Sequence, residues 1–239
     1  MTEKIAPSAV VLLSGGQDST TCLYWAKQRF ERLYALTLDY GQRHRIELEA
    51  ACTIARMAGV AEHRILPMPE LAELSGSALL TDTPIQETGG RGNLPNTFVP
   101  GRNLLFLTLA AAWAYQLDCH DLVGGMCQTD YSGYPDCRRA TLDALEQAIR
   151  LGMEWEIRIH TPLMFLTKAQ SVKLAIEVGA MEALAYSHTC YEGRFPPCGV
   201  CPACRLRARG FEEAGVEDPL LLRARQRQDT LSPLGRGSG

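Results

Sequence analysis

The 239-residue chain has no apolar run long enough to cross a bilayer. Its most apolar helix-like segment, Leu104 to Leu117, falls short of the roughly 20 residues that a spanning helix requires. The start, Met1-Thr2-Glu3-Lys4-Ile5-Ala6-Pro7, lacks the basic-then-apolar order of a secretory signal. A cytoplasmic protein with no membrane partner is therefore expected. An excess of positive charge is missing too: 24 Lys and Arg against 27 Asp and Glu leave a net charge of −3. That argues against a dedicated nucleic-acid binder, whose domain is usually strongly basic. No internal repeat is visible. The remaining balance, 46% hydrophobic and 21% charged, suits a globular protein long enough for one large α/β domain with a small appendage.

Cysteine is not scarce. There are nine, a high and odd number for a reducing compartment. Disulfide frameworks are disfavoured there, and metal binding or catalysis becomes the better explanation. Cys22, Cys52, Cys119, Cys127 and Cys137 are scattered, and the first three are expected in the core. Cys190, Cys198, Cys201 and Cys204 are clustered. The spacing Cys190-x7-Cys198-x2-Cys201-x2-Cys204 suits four thiolates wrapped round one tetrahedral ion, and Pro196, Pro197, Gly199 and Pro202 favour the tight turns this needs. A four-thiolate site has no open position, so one structural zinc is expected; an iron–sulfur cluster is the rival.

The second informative stretch is Ser14-Gly15-Gly16-Gln17-Asp18-Ser19, between the apolar run Ala9–Leu13 and the helix-like Thr20–Lys27. A buried strand, a Gly-rich turn and a helix N-terminus make an anion site, because free backbone N–H groups converge there. Ser14, Ser19 and Thr20 add hydroxyls. The loop lacks the Lys of G-x-x-x-x-G-K-[ST] and the spacing of G-x-G-x-x-G, so neither the usual NTPase phosphate loop nor a dinucleotide site is indicated.

Apolar runs alternate with helical patterns along the chain, which predicts a doubly wound, mostly parallel α/β sheet. Strands are expected at Val10–Leu13, Leu33–Leu38, His63–Leu66, Asp121–Gly125 and Ile157–Ile159. Helices are expected over His44–Ala58 (ended by Gly59), Arg102–Leu117, Thr141–Leu151, the stretch from the Thr167 cap to Val178, and about Leu206–Ala214. Leu74–Asn96 is Gly-, Pro- and Thr-rich without periodicity, and reads as a long loop, a candidate lid over a ligand. After Asp218-Pro219 the pattern fades. The expected division is an α/β domain over 8–185, a zinc-binding segment over 186–222 and a flexible tail over 223–239. Ligands of open parallel sheets sit beyond the carboxyl ends of the strands. Ser14–Ser19, Asp39–Arg45, Gly124–Arg138 and Leu163–Lys168 should converge there.

Those loops carry the other candidates. Tyr40 can stack on a base, while Gln42, Arg43 and His44 can reach phosphates. Arg102, after Pro100-Gly101, sits at a helix start where it can bind phosphate or carboxylate bidentately. In Gln128-Thr129-Asp130-Tyr131-Ser132-Gly133-Tyr134-Pro135-Asp136-Cys137-Arg138, two tyrosines can sandwich a flat heterocycle and an Asp can accept from a guanine-like N–H pair. Lys168 can neutralise phosphate charge.

Ser-Gly-Gly-x-Asp-Ser resembles the pyrophosphate loop of the N-type ATP pyrophosphatases. With Asp39-Tyr40-Gly41-Gln42, Val99-Pro100-Gly101-Arg102-Asn103, the Gln128–Arg138 run and the four-cysteine spacing in this order, residues 8–222 resemble the 7-cyano-7-deazaguanine synthase family of queuosine biosynthesis. The resemblance implies that 7-carboxy-7-deazaguanine and ammonia are joined by two successive adenylations, acid to amide to nitrile, releasing AMP and pyrophosphate. It implies ATP contacts from Leu12, Leu13, Ser14, Gly15, Gly16, Gln17, Asp18, Ser19, Thr20, Thr21, Cys22, Tyr40 and Gln42. It implies catalytic roles for Asp18, Ser19, Arg102 and Lys168. Substrate contacts would come from Arg102, Asp130, Tyr131, Tyr134, Asp136 and Arg138. Magnesium, with Asp18 nearby, a Zn2+ on the four cysteines and a homodimer complete the set. The rivals are a tRNA sulfur-transfer enzyme of the same superfamily, with Cys127 or Cys137 as sulfur carrier, and a zinc-dependent binding module with a degenerate loop.

Overall fold

The computed structural model describes residues 6–42, 46–81, 83–86, 92, 94–129 and 133–231. In chain order the elements are β1 (Ala6–Leu12), α1 (Gln17–Lys27), β2 (Phe30–Asp39), α2 (Ile46–Ala58), β3 (Glu62–Pro67), α3 (Glu70–Leu74), α4 (Arg102–Gln116), β4 (Asp121–Val123), α5 (Arg139–Met153), β5 (Arg158–His160), α6 (Lys168–Glu177), α7 (Met181–Leu184), α8 (Pro202–Ala214) and α9 (Pro219–Leu231). The five strands form one sheet in the order β3-β2-β1-β4-β5, and every pairing is parallel.

Successive side chains of a strand point to opposite faces, and β1 shows why the run from Ala9 onward is apolar throughout. Ala9, Val11 and Leu13 pack under α1 and α2 with Cys22, Leu23 and Ile54. Val10 and Leu12 pack under α4 and α5 with Leu107, Ala111 and Leu142. A strand covered on both faces reads as a continuous apolar run. β3, at the edge, is largely exposed from Arg64 onward. The strand order reverses between β1 and β4, so the loops after these strands flank the crevice where such sheets bind ligands.

The expected strands and long helices are present, with shifted ends. Two short helices, α3 and α7, had no expectation. The helix expected from Leu206 begins at Pro202, because Cys201 caps it through Sγ and proline suits the first helical position. The stretch after Asp218 forms α9 through Leu231 instead of losing structure. Asp218 accepts from the Leu220 N–H at 2.9 Å through its side chain, and Pro219 follows it, so an Asp-Pro helix start was legible there. Within the long loop, Asn96 ties the two ends together: its N–H donates to Gln86 O, its Nδ2 to Pro84 O, and its carbonyl accepts from Ala78 N–H.

Candidate active site

The loop after β1 is built tightly. Gly15 has φ +84°, and a Cβ there would lie 2.3 Å from Glu47 O and 2.8 Å from Ala51 N, so α2 approaches closer than any side chain allows. Ser14 and Ser19 place their hydroxyls 3.0 Å apart. The Ser14 N–H donates to Ser19 Oγ and the Gly16 N–H to Ser14 Oγ. The Ser19 and Thr20 hydroxyls donate to Gly16 O at 3.2 and 2.7 Å. Gly16 caps α1 without a side chain, which leaves the first-turn N–H groups and the positive helix end to a ligand.

Around this loop lies a chamber of about 330 Å³. Its walls come from the ends of β1, β2 and β4, the start of α4, and residues 188–191 ahead of the last three cysteines. Lys168, at the start of α6, reaches Asp18 with Nζ 2.8 and 2.7 Å from the two carboxylate oxygens. Arg102 donates to Tyr40 Oη at 3.3 Å. Burial opposes the Arg102 charge, but Tyr40, Tyr134 and Asp136 more than offset this and keep it cationic. Tyr134 lines the chamber and shares a 2.6 Å hydrogen bond with Thr97. Gln17 borders the chamber at 2% exposure, and among the described residues neither its Oε1 nor its Nε2 has a hydrogen-bond partner. A buried amide left without a partner in a cavity wall fits a polar ligand there.

Of the residues named from sequence, Leu12, Leu13, Ser14, Gly16, Gln17, Asp18, Ser19, Tyr40, Gln42, Arg102 and Tyr134 line this chamber. Gly15 lies behind it, against α2. Thr20, Thr21 and Cys22 are fully buried; the Thr21 hydroxyl donates to Gln17 O, and Cys22 Sγ to Gly124 O. The Gln42 amide closes its own turn, accepting from Tyr40 N–H and donating to Leu38 O. Asp136 is buried and accepts from the Asn103 N–H at 3.1 Å, holding the start of α4. Arg138 caps α5 and is exposed. Arg43, His44, Asp130 and Tyr131 lie outside the described residues. Sequence reasoning passed over Glu47, His188, Thr189 and Tyr191, which also line the chamber. Glu47 resembled any acidic residue in a helix's first turn. Burial pushes its carboxyl up to about 7, against the pull of Arg102.

The four clustered cysteines meet as expected. One sulfur from each of Cys190, Cys198, Cys201 and Cys204 lies within 4.8 Å of the others, and Cys198 and Cys204 Sγ are 3.9 Å apart. Backbone N–H groups of Cys198, Cys201 and Cys204 point at Cys190, Cys198 and Cys201 Sγ. A hydrogen bond from Cys204 holds the Cys201 thiol down to about 5, and the same proximity pushes Cys204 up. Four sulfurs this close share negative charge comfortably only around a cation, and their separations fit tetrahedral thiolate ligation. The knuckle abuts the chamber: the His188 N–H donates to Gly15 O at 2.8 Å.

A parallel sheet whose order reverses beside a Gly-rich strand-to-helix loop, with a four-cysteine centre at its rim, defines a doubly wound α/β protein with an anion site at the switch point. Residues 8–215 match the family model described as queuosine biosynthesis protein QueC. Over 217 residues the chain is 62% identical to the 7-cyano-7-deazaguanine synthase of Laribacter hongkongensis, covering 90% of this chain and 94% of that one. It is 59% identical over 219 residues to the 7-cyano-7-deazaguanine synthase of Chromobacterium violaceum, covering 90% and 93%. The chain belongs to the QueC family of queuosine biosynthesis proteins. Its fold is also similar to that of a 4-thiouridine synthetase–RNA complex with bound ATP, at TM-score 0.51 and 17% identity, covering 92% of this chain and 53% of the other. No helix among the described residues is long and apolar enough to cross a membrane.

Proposed function

We propose that this chain is a 7-cyano-7-deazaguanine synthase, converting 7-carboxy-7-deazaguanine and ammonia to the nitrile at the expense of two ATP. The observation that carries the reading is the chamber at the end of β1, where an anion loop, its Asp18 fixed by Lys168, and a cationic Arg102 share one space. A carboxylate is a poor electrophile. Its oxygen attacks the α-phosphate of ATP, and the resulting acyl adenylate carries a good leaving group. Loop N–H groups and Lys168 stabilise the departing pyrophosphate, which is electrostatic catalysis. Ammonia displaces AMP to give the amide. A second adenylation, now of the amide oxygen, and loss of AMP leave the nitrile. Mg2+ would neutralise polyphosphate charge, with Asp18 the carboxylate of the loop able to hold it. Arg102 and Tyr134 orient the deazaguanine acid, with Asp130, Tyr131, Asp136 and Arg138 as further candidates. Zn2+ on Cys190, Cys198, Cys201 and Cys204 staples the rim. The working form is a cytoplasmic homodimer that binds no nucleic acid.

The test is incubation with ATP, ammonium and 7-carboxy-7-deazaguanine, followed by mass spectrometry. AMP and a nitrile product are expected; ADP, or no product, sinks the reading. Cys127 and Cys137 both border the chamber, so a Cys127→Ser/Cys137→Ser variant separates this chemistry from sulfur transfer. It should still form the nitrile.

A further inference from the structure

The reaction proposed above strips its nitrogen bare. Nitrogen arrives at neutral pH as ammonium, carrying four protons, and leaves in a nitrile carrying none. Each of those protons needs an acceptor close to the acyl carbon. The charged groups of the pyrophosphate side are committed elsewhere: Lys168 holds both oxygens of Asp18, and Asp136 is buried against the start of α4.

Glu47 is placed differently. It sits in the first turn of α2, and its backbone carbonyl lies directly against Gly15, so the residue is anchored to the pyrophosphate loop. Glu47 also forms part of the chamber wall. Among the described residues none donates a hydrogen bond to its carboxylate. Among the described residues, Arg102 is the charge that acts on this carboxylate.

We propose that Glu47 is the proton acceptor for the incoming nitrogen, an assignment that rests on the synthase reading of this site. Ammonium gives one proton to the carboxylate and becomes ammonia. The freed lone pair forms the C–N bond at the acyl carbon, and the C–O bond to AMP breaks with its electrons going to the phosphate. The protonated adduct then yields a second proton. After adenylation of the amide oxygen, the last two N–H protons leave as the second AMP departs and the triple bond closes. Glu47 returns each proton to solvent between steps.

The surroundings suit this work. Facing Glu47 are Arg102 from α4, Tyr40 just after β2, and Tyr191 next to Cys190 of the knuckle. Burial raises both tyrosines, and Arg102 stays charged. His188 also lines the chamber, with its ring bonded to Cys190 O. An ordinary carboxylate is too weak a base for ammonium; a carboxyl raised to about 7 narrows that gap.

The experiment compares wild type with Glu47→Gln by two readouts. One is ATP–pyrophosphate exchange dependent on 7-carboxy-7-deazaguanine, without ammonium. The other is amide and nitrile formation against total ammonium, from about pH 6 to 9. The expected result is exchange near the wild-type rate and nitrogen incorporation reduced about 100-fold at neutral pH. The deficit should shrink toward pH 9, where free ammonia no longer needs a base. Incorporation at the wild-type rate, loss of exchange together with incorporation, or a deficit equal at every pH overturns the proposal. Should Glu47→Gln melt far below wild type, the wild-type profile decides. A limb near pH 7 in kcat/KM for ammonium, absent from exchange, supports Glu47, and a profile tracking free ammonia alone rejects it. Wild type that shows no acid-dependent exchange is a different failure, that of the synthase reading itself.

Discussion

Lys168 Nζ lies 2.8 and 2.7 Å from the two carboxylate oxygens of Asp18, a residue 150 positions earlier in the chain. The contact joins the first turn of α1 to the first residue of α6, and so ties the anion loop to the helix that packs beside α1. Asp18 gains a fixed orientation, and in the proposed reaction Lys168 brings its charge to the pyrophosphate loop.

Asp18→Ala should therefore cut turnover by orders of magnitude with little loss of fold. Lys168→Met should lower kcat by about 100-fold or more, the scale of losing one preorganised donor to a developing anion. Steady-state kinetics and circular dichroism check both. Near-normal rates from either variant would remove that residue from the catalytic set.

Gly210 bears on Lys168 from outside the chamber. A Cβ at Gly210 would lie 2.6 Å from Lys168 Cγ and 3.2 Å from its Cβ, so the backbone of α8 presses on the lysine stem. Gly210→Ala must push that stem aside, and a displacement near 1 Å is enough to cost about tenfold to 100-fold in rate. We expect kcat to fall while the protein remains folded. An unaltered kcat would show that Lys168 has room to yield.

Gly15→Ala should fail for a different reason. The left-handed backbone alone costs roughly 1–3 kcal/mol for a non-glycine residue, and the added Cβ collides with backbone atoms of α2 that cannot turn away. Urea denaturation should show a large loss of stability, and the surviving folded fraction should bind ATP poorly. A wild-type midpoint would contradict both parts.

The fold was largely legible because each strand announces itself. β1, β2 and β4 are buried on both faces, and burial of that kind demands unbroken apolar runs such as Ala9–Leu13. The Thr167 cap was legible too, and it forms a full capping box with Gln170. α3 and α7, of five and four residues, are too short to build a period. α9 was missed although Asp218-Pro219 is a helix start, because its many charged and polar residues blur the apolar stripe. In the site, the glycine-rich loop and the cysteines are legible because few other roles require them. Glu47, His188 and Tyr191 are not, since their role comes from which loop the topology brings beside them.

The four-cysteine centre should bind one metal ion per chain, and its loss should reach the chamber. The segment from His188 to Tyr191 is at once chamber wall and lead-in to the knuckle, and the His188 N–H bonds Gly15 O. Elemental analysis of the purified protein should find one zinc per chain, with iron as the alternative. Cys201→Ser should bind less metal and lower the melting temperature. Treatment with a strong chelator should abolish activity, and restoring Zn2+ should recover it. Full activity in metal-free protein would reduce the knuckle to an ornament of the surface.

The same rim is fastened from below by Arg207. Its Nε and Nη2 bond the two oxygens of Asp218 at 2.6 and 2.8 Å, and its Nη1 reaches Ser187 Oγ and Thr189 Oγ1 at 2.7 and 3.0 Å. The side chains of the pair are 4% and 5% exposed. Removing one partner leaves the other charge buried and uncompensated, which costs about 3–5 kcal/mol. Asp218→Ala should therefore destabilise the protein by that amount, since it also takes the cap from α9. Arg207→Met should do less harm, because the leftover Asp218 keeps its bond from the Leu220 N–H. Thr189 lines the chamber, so the folded fraction of either variant should also show a raised KM. Equal stability of Asp218→Ala and wild type in urea would mean that the ion pair only breaks even against its own desolvation.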